Sequence, residues 1–266
     1  MFGGVCGETQ TEVKCVVKIL VISDLHVGSE YALMPNKWKN ITPLDDQKQI
    51  LKKWNEMCKN EKHNDYLIIN GDVTDGTQSM NEGKELCISD TSEQVDAAID
   101  LVKQIDYDKL LVTYGTFYHT KENPNLDQQF AKQIDANSHG YEINFQPKGT
   151  KDIMHLSHQI SVSTSSWQYR TTPLAKELVA ALLNEKELYK YKSIIRSHAH
   201  YYCYVAFSKS FGLITPCWQT RTPYMIRKGL SLIPKMGYVT ITIEDDGGWD
   251  VVPHTFDLPR PKLVII

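Results

Sequence analysis

The sequence predicts one α/β domain, residues 1–266, built of two packed sheets with outer helices. Three observations carry this. Short, β-branched apolar runs alternate with helix-period stretches through the first half of the chain. The second half turns strand-rich. The chain shows no internal repeat, and no Pro/Gly/Ser linker splits it; a boundary at Ser138–Gly140 is the weaker alternative. Hydrophobic residues at 41% and charged residues at 23% are ordinary for a folded domain, which excludes a disordered chain, a collagen-like fibre and a coiled coil.

The elements follow in order. Cys15–Ser23 (CVVKILVIS) reads as a buried strand. From Asp46 to Lys59, Ile50, Leu51, Trp54 and Met57 recur at helical spacing. Tyr66–Asn70 is a second strand, and Ser92–Ile105 a second helix, capped by Asp90 or Ser92. Lys109–Tyr114 is a third strand, and Asn123-Pro124 reads as a helix start. Strands are expected at Tyr141–Phe145 and Asp152–Leu156, and a helix at Thr172–Tyr189. Further strands are expected at Ser193–Arg196, Tyr201–Phe207, Tyr238–Glu244 and Trp249–Phe256, the last two joined by an Asp245-Asp246-Gly247-Gly248 hairpin turn.

Each early strand runs into an unusual polar group: Asp24-Leu25-His26, then Gly71-Asp72, then Gly115-Thr116 with His119. A later one runs into Ser197-His198-Ala199-His200. Ligands of α/β sheets bind beyond the carboxyl ends of the strands. In extended chain, residues two apart share a side, so Asp24 and His26 face one point, as do His198 and His200. One short motif alone occurs often by chance. Burying these carboxylates and imidazoles together is costly unless a cation compensates, and the mixed donors suit Mn²⁺, Fe or Zn²⁺ better than Ca²⁺.

At these residues the sequence resembles the calcineurin-like metallophosphoesterases, whose signature is DxH, GD, GN followed by His, a lone His, and GHxH. The order is intact from Asp24 to His200, with His158 as the lone histidine. The resemblance implies a four-layer α/β/β/α sandwich, two mixed sheets flanked by helices. It also implies two divalent ions, Mn²⁺ first, with Fe, Zn or Ni as alternatives. Asp24, His26, Asp72 and His200 would hold one ion; Asp72 would bridge to a second, which also takes His158 and His198. The implied activity is phosphoester hydrolysis by a metal-bound hydroxide, as a phosphodiesterase, nuclease or phosphatase. His119 would be the general acid.

Two positions depart from the pattern. Ser197 replaces a glycine, and Thr116 stands where the family places an asparagine ligand, with the histidine displaced to His119. Either His119 completes the second site, or water does and His119 keeps the proton-transfer role. His155 and His158 face opposite sides of a strand, so only one is expected to ligate, and His158 is preferred. Arg170 is a candidate clamp for a phosphate oxygen, Trp218-Gln219 lines the pocket or packs the second sheet, and Lys148, Lys151, Arg221, Arg227 and Lys228 are candidates for a basic rim.

Net charge is −3 with no long Lys/Arg block, which argues against sequence-independent wrapping of duplex DNA. The expected partner is a phosphoester, nucleotides and nucleic acids included, with no membrane and no oligomeric state specified. The six cysteines form no CxxC pair, and no segment reads as a signal peptide or membrane span, so a cytoplasmic location is expected. The competing reading, a non-catalytic binding module on the same fold, rests on Thr116.

Overall fold

The computed structural model describes residues 15–120, 125–161, 169–184, 189–229 and 233–258. β1 (Cys15–Ile22) alternates sides as a strand buried on both faces must: Leu20 and Ile22 face one apolar cluster, Val17, Ile19 and Val21 another. α1 (Asp45–Asn60) buries Ile50, Leu51, Trp54 and Met57, with Asp45 and Asp46 in its first turn and Lys59 in its last, where the helix dipole favours them. β2 (Asn64–Asn70) follows. α2 (Thr91–Val102) is capped by Asp90, whose carboxylate accepts from the amides of Ser92 and Glu93. β3 (Tyr107–Thr113) leads into the one-turn α3 (Phe117–Thr120), then α4 (Leu126–Gln133) with Asn125 as its cap. The helix start expected at Asn123-Pro124 lies outside the described residues.

β4 (Ser138–Gly140) was not expected as a strand; it pairs parallel with β3, too short to show a period of its own. β5 (Glu142–Phe145), β6 (Ile153–Ser157), α5 (Thr172–Leu183) and β7 (Tyr191–Arg196) come next. β8 (Cys203–Phe207) turns back into β9 (Ser210–Ile214), where the sequence predicted nothing. Its Gly212 weakens the strand signal for a packing reason, because a Cβ there would meet Leu174 of α5 at 2.9 Å. α6 (Pro223–Arg227), β10 (Met236–Glu244) and β11 (Trp249–Phe256) are the last elements among the described residues.

One mixed sheet has the order β11-β10-β1-β2-β3-β4, the other β5-β6-β7-β9-β8. Three apolar clusters separate four layers. The first packs Leu20, Leu67 and Val112 against Ile50, Trp54, Val95, Ala98 and Phe130 of α1, α2 and α4. The second joins the sheets, with Ile19, Ile68 and Ile241 facing Met154, Leu156 and Leu213. The third packs Leu174 and Leu178 of α5 on Ile194 and Ile214. This is the four-layer α/β/β/α sandwich. The carboxyl ends of β1, β2, β3, β6 and β7 meet at one end, because β1–β3 are mutually parallel in one sheet and β6–β7 in the other.

Candidate metal centre

The loops that leave β1 and β2 are bonded to each other beyond the sheet. Asp24 N donates to Gly71 O at 3.0 Å, His26 N to Asp72 O at 3.1 Å, and Asp75 N to Val27 O at 3.1 Å. In the other sheet Ser197 N donates to His158 O at 2.9 Å, joining the ends of β6 and β7. Three groups of donor atoms result among the described residues, each within 4.8 Å: Asp24, His26 and His200; Asp72, His158 and His198; and His26, Asp75 and His119, which shares His26 with the first.

Donor spacing fits cations. His26 Nε2 and His200 Nε2 are 3.2 Å apart, and Asp24 Oδ1 lies 3.2 Å from His200 Nε2 and 3.9 Å from His26 Nε2. In the second group His158 Nε2 is 3.0 Å from Asp72 Oδ2. Ligands bound at about 2.0–2.2 Å around one ion lie roughly 3.0–3.5 Å apart. Asp24 Oδ1 and His158 Nε2 are fully buried and make no hydrogen bond. A buried orphaned acceptor is costly, and a cation relieves the cost. The residues present therefore fit divalent ions.

The backbone bears the same mark. Asp24 (φ 50°), His26 (φ 47°), Asp72 (φ 51°), His198 (φ 67°) and His200 (φ 54°) all occupy the left-handed region, which disfavours residues with a Cβ. This corrects the extended-chain expectation. Asp24 and His26 do converge, but through left-handed turns, and His198 and His200 divide between the two groups. Gly71 and Gly115 make the approach possible: a Cβ on Gly71 would fall 2.5 Å from His158 Nδ1, and one on Gly115 would collide with the Asp72 carboxylate.

Electrostatics follow from this packing. Burial pushes the Asp24 carboxyl up, but the His200 and His158 imidazoles outweigh it and hold it at about 2. Asp72 is likewise driven well below the usual range against its burial, chiefly by His158 and His119. Burial opposes protonation of His158, yet Asp72 and Asp24 raise it to about 9. His198 falls to about 4, through burial and the neighbouring His158.

His119 lies with His26 and not with the Asp72 group; their ring centroids are 4.4 Å apart. Its Nδ1 sits 3.0 Å from Asp75 O and 3.2 Å from Asp75 Oδ1. Thr116 does not aim its hydroxyl away from Asp72: Oγ1 is 3.2 Å from both carboxylate oxygens, and its amide donates to Oδ1 at 2.7 Å. His155 points elsewhere, pairing through Nε2 with Glu142 Oε1 at 2.6 Å across β5 and β6. Arg170 stacks its guanidinium on the Tyr201 ring at 5.4 Å, beside His200 in the chain.

Trp218 packs edge-on against Trp54 of α1, in the cluster on the helix side of the first sheet, so it neither lines the pocket nor packs the second sheet; its amide holds Asp24 O at 3.0 Å. The expected basic rim does not form as a unit. Lys148 and Lys151 lie before β6, at the end opposite His158, while Arg227 pairs with Glu85 at 2.9 Å.

Sequence reasoning missed four supporting residues. Asp75 also binds His26 Nδ1 at 3.0 Å. Asp127, in α4, accepts from the amides of Asp72, Val73 and Gly115 at 3.1, 3.1 and 2.7 Å; burial and Asp72 raise its carboxyl to about 7. Asn70 presents its carbonyl to His158 Nδ1 at 2.7 Å and its amide to Ser197 Oγ at 2.6 Å. Thr215 Oγ1 lies 2.6 Å from both Ser197 Oγ and Ser23 Oγ, and because Ser23 spends its one proton on Asp24 Oδ2 at 2.6 Å, Thr215 donates to Ser23 and accepts from Ser197. The serine that replaces the family glycine is thus a link in a buried hydrogen-bond chain between the two donor groups. Asp75 follows Asp72 by three residues and had that proximity as a signal; Asp127 had none.

A family model described as calcineurin-like phosphoesterase matches residues 17–93, a segment that holds Asp24, His26 and Asp72. The resemblance is thereby shown over that segment. Comparison with curated proteins gives no match. Among solved structures, an archaeal phosphodiesterase aligns at 10% identity over 90% of this chain and 100% of its own, with a TM-score of 0.45. Zn²⁺-bound Vps29 from Entamoeba histolytica aligns at 12% identity over 91% and 100%, TM-score 0.43. Vps29 from Cryptosporidium parvum aligns at 12% over 92% and 100%, TM-score 0.45. No chemistry follows from likeness at that level. No helix among the described residues is long and apolar enough to cross a membrane.

Proposed function

We propose that this chain is a metal-dependent phosphoester hydrolase with a dinuclear centre. The observation that supports it best is the pair of buried donor groups, Asp24–His26–His200 and Asp72–His158–His198, with ligand-like spacing and left-handed backbone at five of the six residues. One ion would be held by the first group with Asp72 reaching across, the other by the second group. The mixed donor set suits Mn²⁺, Fe or Zn²⁺ better than Ca²⁺, and Mn²⁺ is the ion the family resemblance puts first, with Fe, Zn or Ni as alternatives. When bound, such ions supply Lewis-acid stabilisation of phosphoryl oxygens and lower the pKa of water.

The chain's own groups do the rest. Asp75 engages Nδ1 of His119 and leaves Nε2 as the nitrogen that carries a proton to the leaving oxygen. Burial opposes protonation of His119, but Asp72 and Asp75 raise it to about 9 in the metal-free protein. Asp75 also sets the tautomer of His26, with Nδ1 toward the carboxylate and Nε2 toward Asp24 and His200.

Metal analysis of the purified protein, followed by a panel of phosphomonoesters and diesters with Mn²⁺, tests this. About two ions per chain and hydrolysis of one ester class are expected. Failure to take up metal would sink the hydrolase and favour the binding module, and the panel separates phosphatase from phosphodiesterase.

A further inference from the structure

We infer that Asn70, Ser197, Thr215 and Ser23 are positioning residues for the ion centre, forming one directed chain of buried hydrogen bonds. The chain fixes Asp24 and His158 so that each keeps a single atom free for a cation. This rests on the hydrolase reading above and adds what sets the affinity of its centre. Every member stands at the carboxyl end of a strand. Thr113 and Asn70 end β3 and β2, Ser23 follows β1, Ser197 follows β7 and Thr215 follows β9. All five are fully buried. The chain crosses between the sheets twice, from Asn70 to Ser197 and from Thr215 back to Ser23.

Proton counting gives the chain one direction. Ser23 donates to Asp24 Oδ2, Thr215 to Ser23 and Ser197 to Thr215, each at 2.6 Å. Ser197 accepts from the Asn70 amide at 2.6 Å, and Asn70 Oδ1 accepts from Thr113 Oγ1 at 2.8 Å. The competing acceptors are more distant: Pro216 O lies 3.2 Å from Ser23 Oγ, and Arg196 O 3.3 Å from Thr215 Oγ1. Every proton therefore points toward the Asp24 carboxylate, and hydrogen bonds aligned in this way polarise one another. At the other end Asn70 O holds His158 Nδ1 at 2.7 Å. The atoms left over are Asp24 Oδ1 and His158 Nε2, both buried and both without a hydrogen bond. An outer partner on one atom fixes which other atom a ligand turns to its metal. Ser197 lies outside the left-handed region, so its hydroxyl joins the chain with no strain of that kind, and the family's glycine would supply no such link.

Titration of the metal-free protein with Mn²⁺, the free ion followed by electron paramagnetic resonance, tests the chain without turnover. Asp24→Ala identifies which of the two binding steps belongs to the Asp24 group. Ser23→Ala removes the partner of Asp24 outright and should weaken that step roughly tenfold or more. Thr215→Val touches no ligand atom, yet it should weaken the same step roughly threefold to tenfold, the worth of one buried hydrogen bond. Thr215→Ser should restore it. Ser23→Ala combined with Thr215→Val should bind no more weakly than Ser23→Ala alone, because both cut one chain. Wild-type affinity in Thr215→Val overturns the chain, as does an equal loss at both steps that Thr215→Ser fails to restore. Should Thr215→Val not fold, Ser197→Gly carries the same expectation, and unchanged affinity there overturns the chain. Mn²⁺ uptake with no hydrolysis of any ester sinks the hydrolase and leaves the chain standing. If the wild-type protein takes up no Mn²⁺, both fall.

Discussion

The Oδ1 of Asp75 lies 3.2 Å from His119 Nδ1, and the same oxygen is 3.0 Å from Nδ1 of His26. One buried carboxylate therefore orients both a candidate metal ligand and the candidate acid. In the metal-free protein His119 titrates at about 9, above its ordinary 6.5. The stability contributed by its charge is then complete below about 6.5 and is lost as pH rises through 9. Asp75→Asn should move the His119 titration down, read by NMR of the imidazole protons. An unmoved titration removes Asp75 from this role.

His119→Ala should slow esters with poor leaving groups by roughly 10²–10⁴-fold and activated aryl esters little, because only the former need the proton. Metal content should stay at the wild-type level if His119 is the acid, whereas a loss of metal assigns it as a ligand in the group it forms with His26 and Asp75. Comparing alkyl and aryl esters on the same samples checks this. Full activity on alkyl esters would leave His119 with no catalytic role.

Asp72→Ala should lower occupancy at both ions and leave hydrolysis near background, whereas Asp24→Ala should damage mainly one site. Metal stoichiometry by elemental analysis separates the two. An Asp72→Ala protein that keeps most of its activity under saturating Mn²⁺ removes Asp72 as the bridge.

His158→Ala should lose metal, because His158 Nε2 faces Asp72 Oδ2 at 3.0 Å. His155→Ala gives up a cross-strand pair with the exposed Glu142, worth roughly 0–1 kcal/mol in solvent, and should keep its metal. Thermal melts and metal content measured together distinguish them. The reverse pattern would exchange their roles.

Gly115→Ala should be among the most damaging single-methyl changes in the chain. The added Cβ collides with the Asp72 carboxylate, so the loop must shift at a cost of roughly 1–3 kcal/mol. The expected result is a lower melting temperature together with weaker metal uptake. An unchanged metal affinity contradicts the contact.

The amino-acid order alone determined much of the architecture and the identity of the chemistry-bearing residues. β-branched runs such as Cys15–Ile22 must be buried on both faces, and the periodic apolar residues of α1 and α2 need a sheet to cover; both are local consequences of side-chain period. Strand ends carrying Asp24, His26, Asp72, His198 and His200 were legible because polar residues directly after buried strands have few other uses. Tertiary structure decided how they converge. The left-handed backbone at all five and the assignment of His119 to the side of His26 depend on contacts across 44 to 174 residues of chain, among them Asp75 with His119 and His26 with His200. Asp127, Asn70 and Thr215 were invisible for the same reason. A buried hydrogen bond between sheets is specified by three-dimensional proximity and leaves no spacing in the sequence to read.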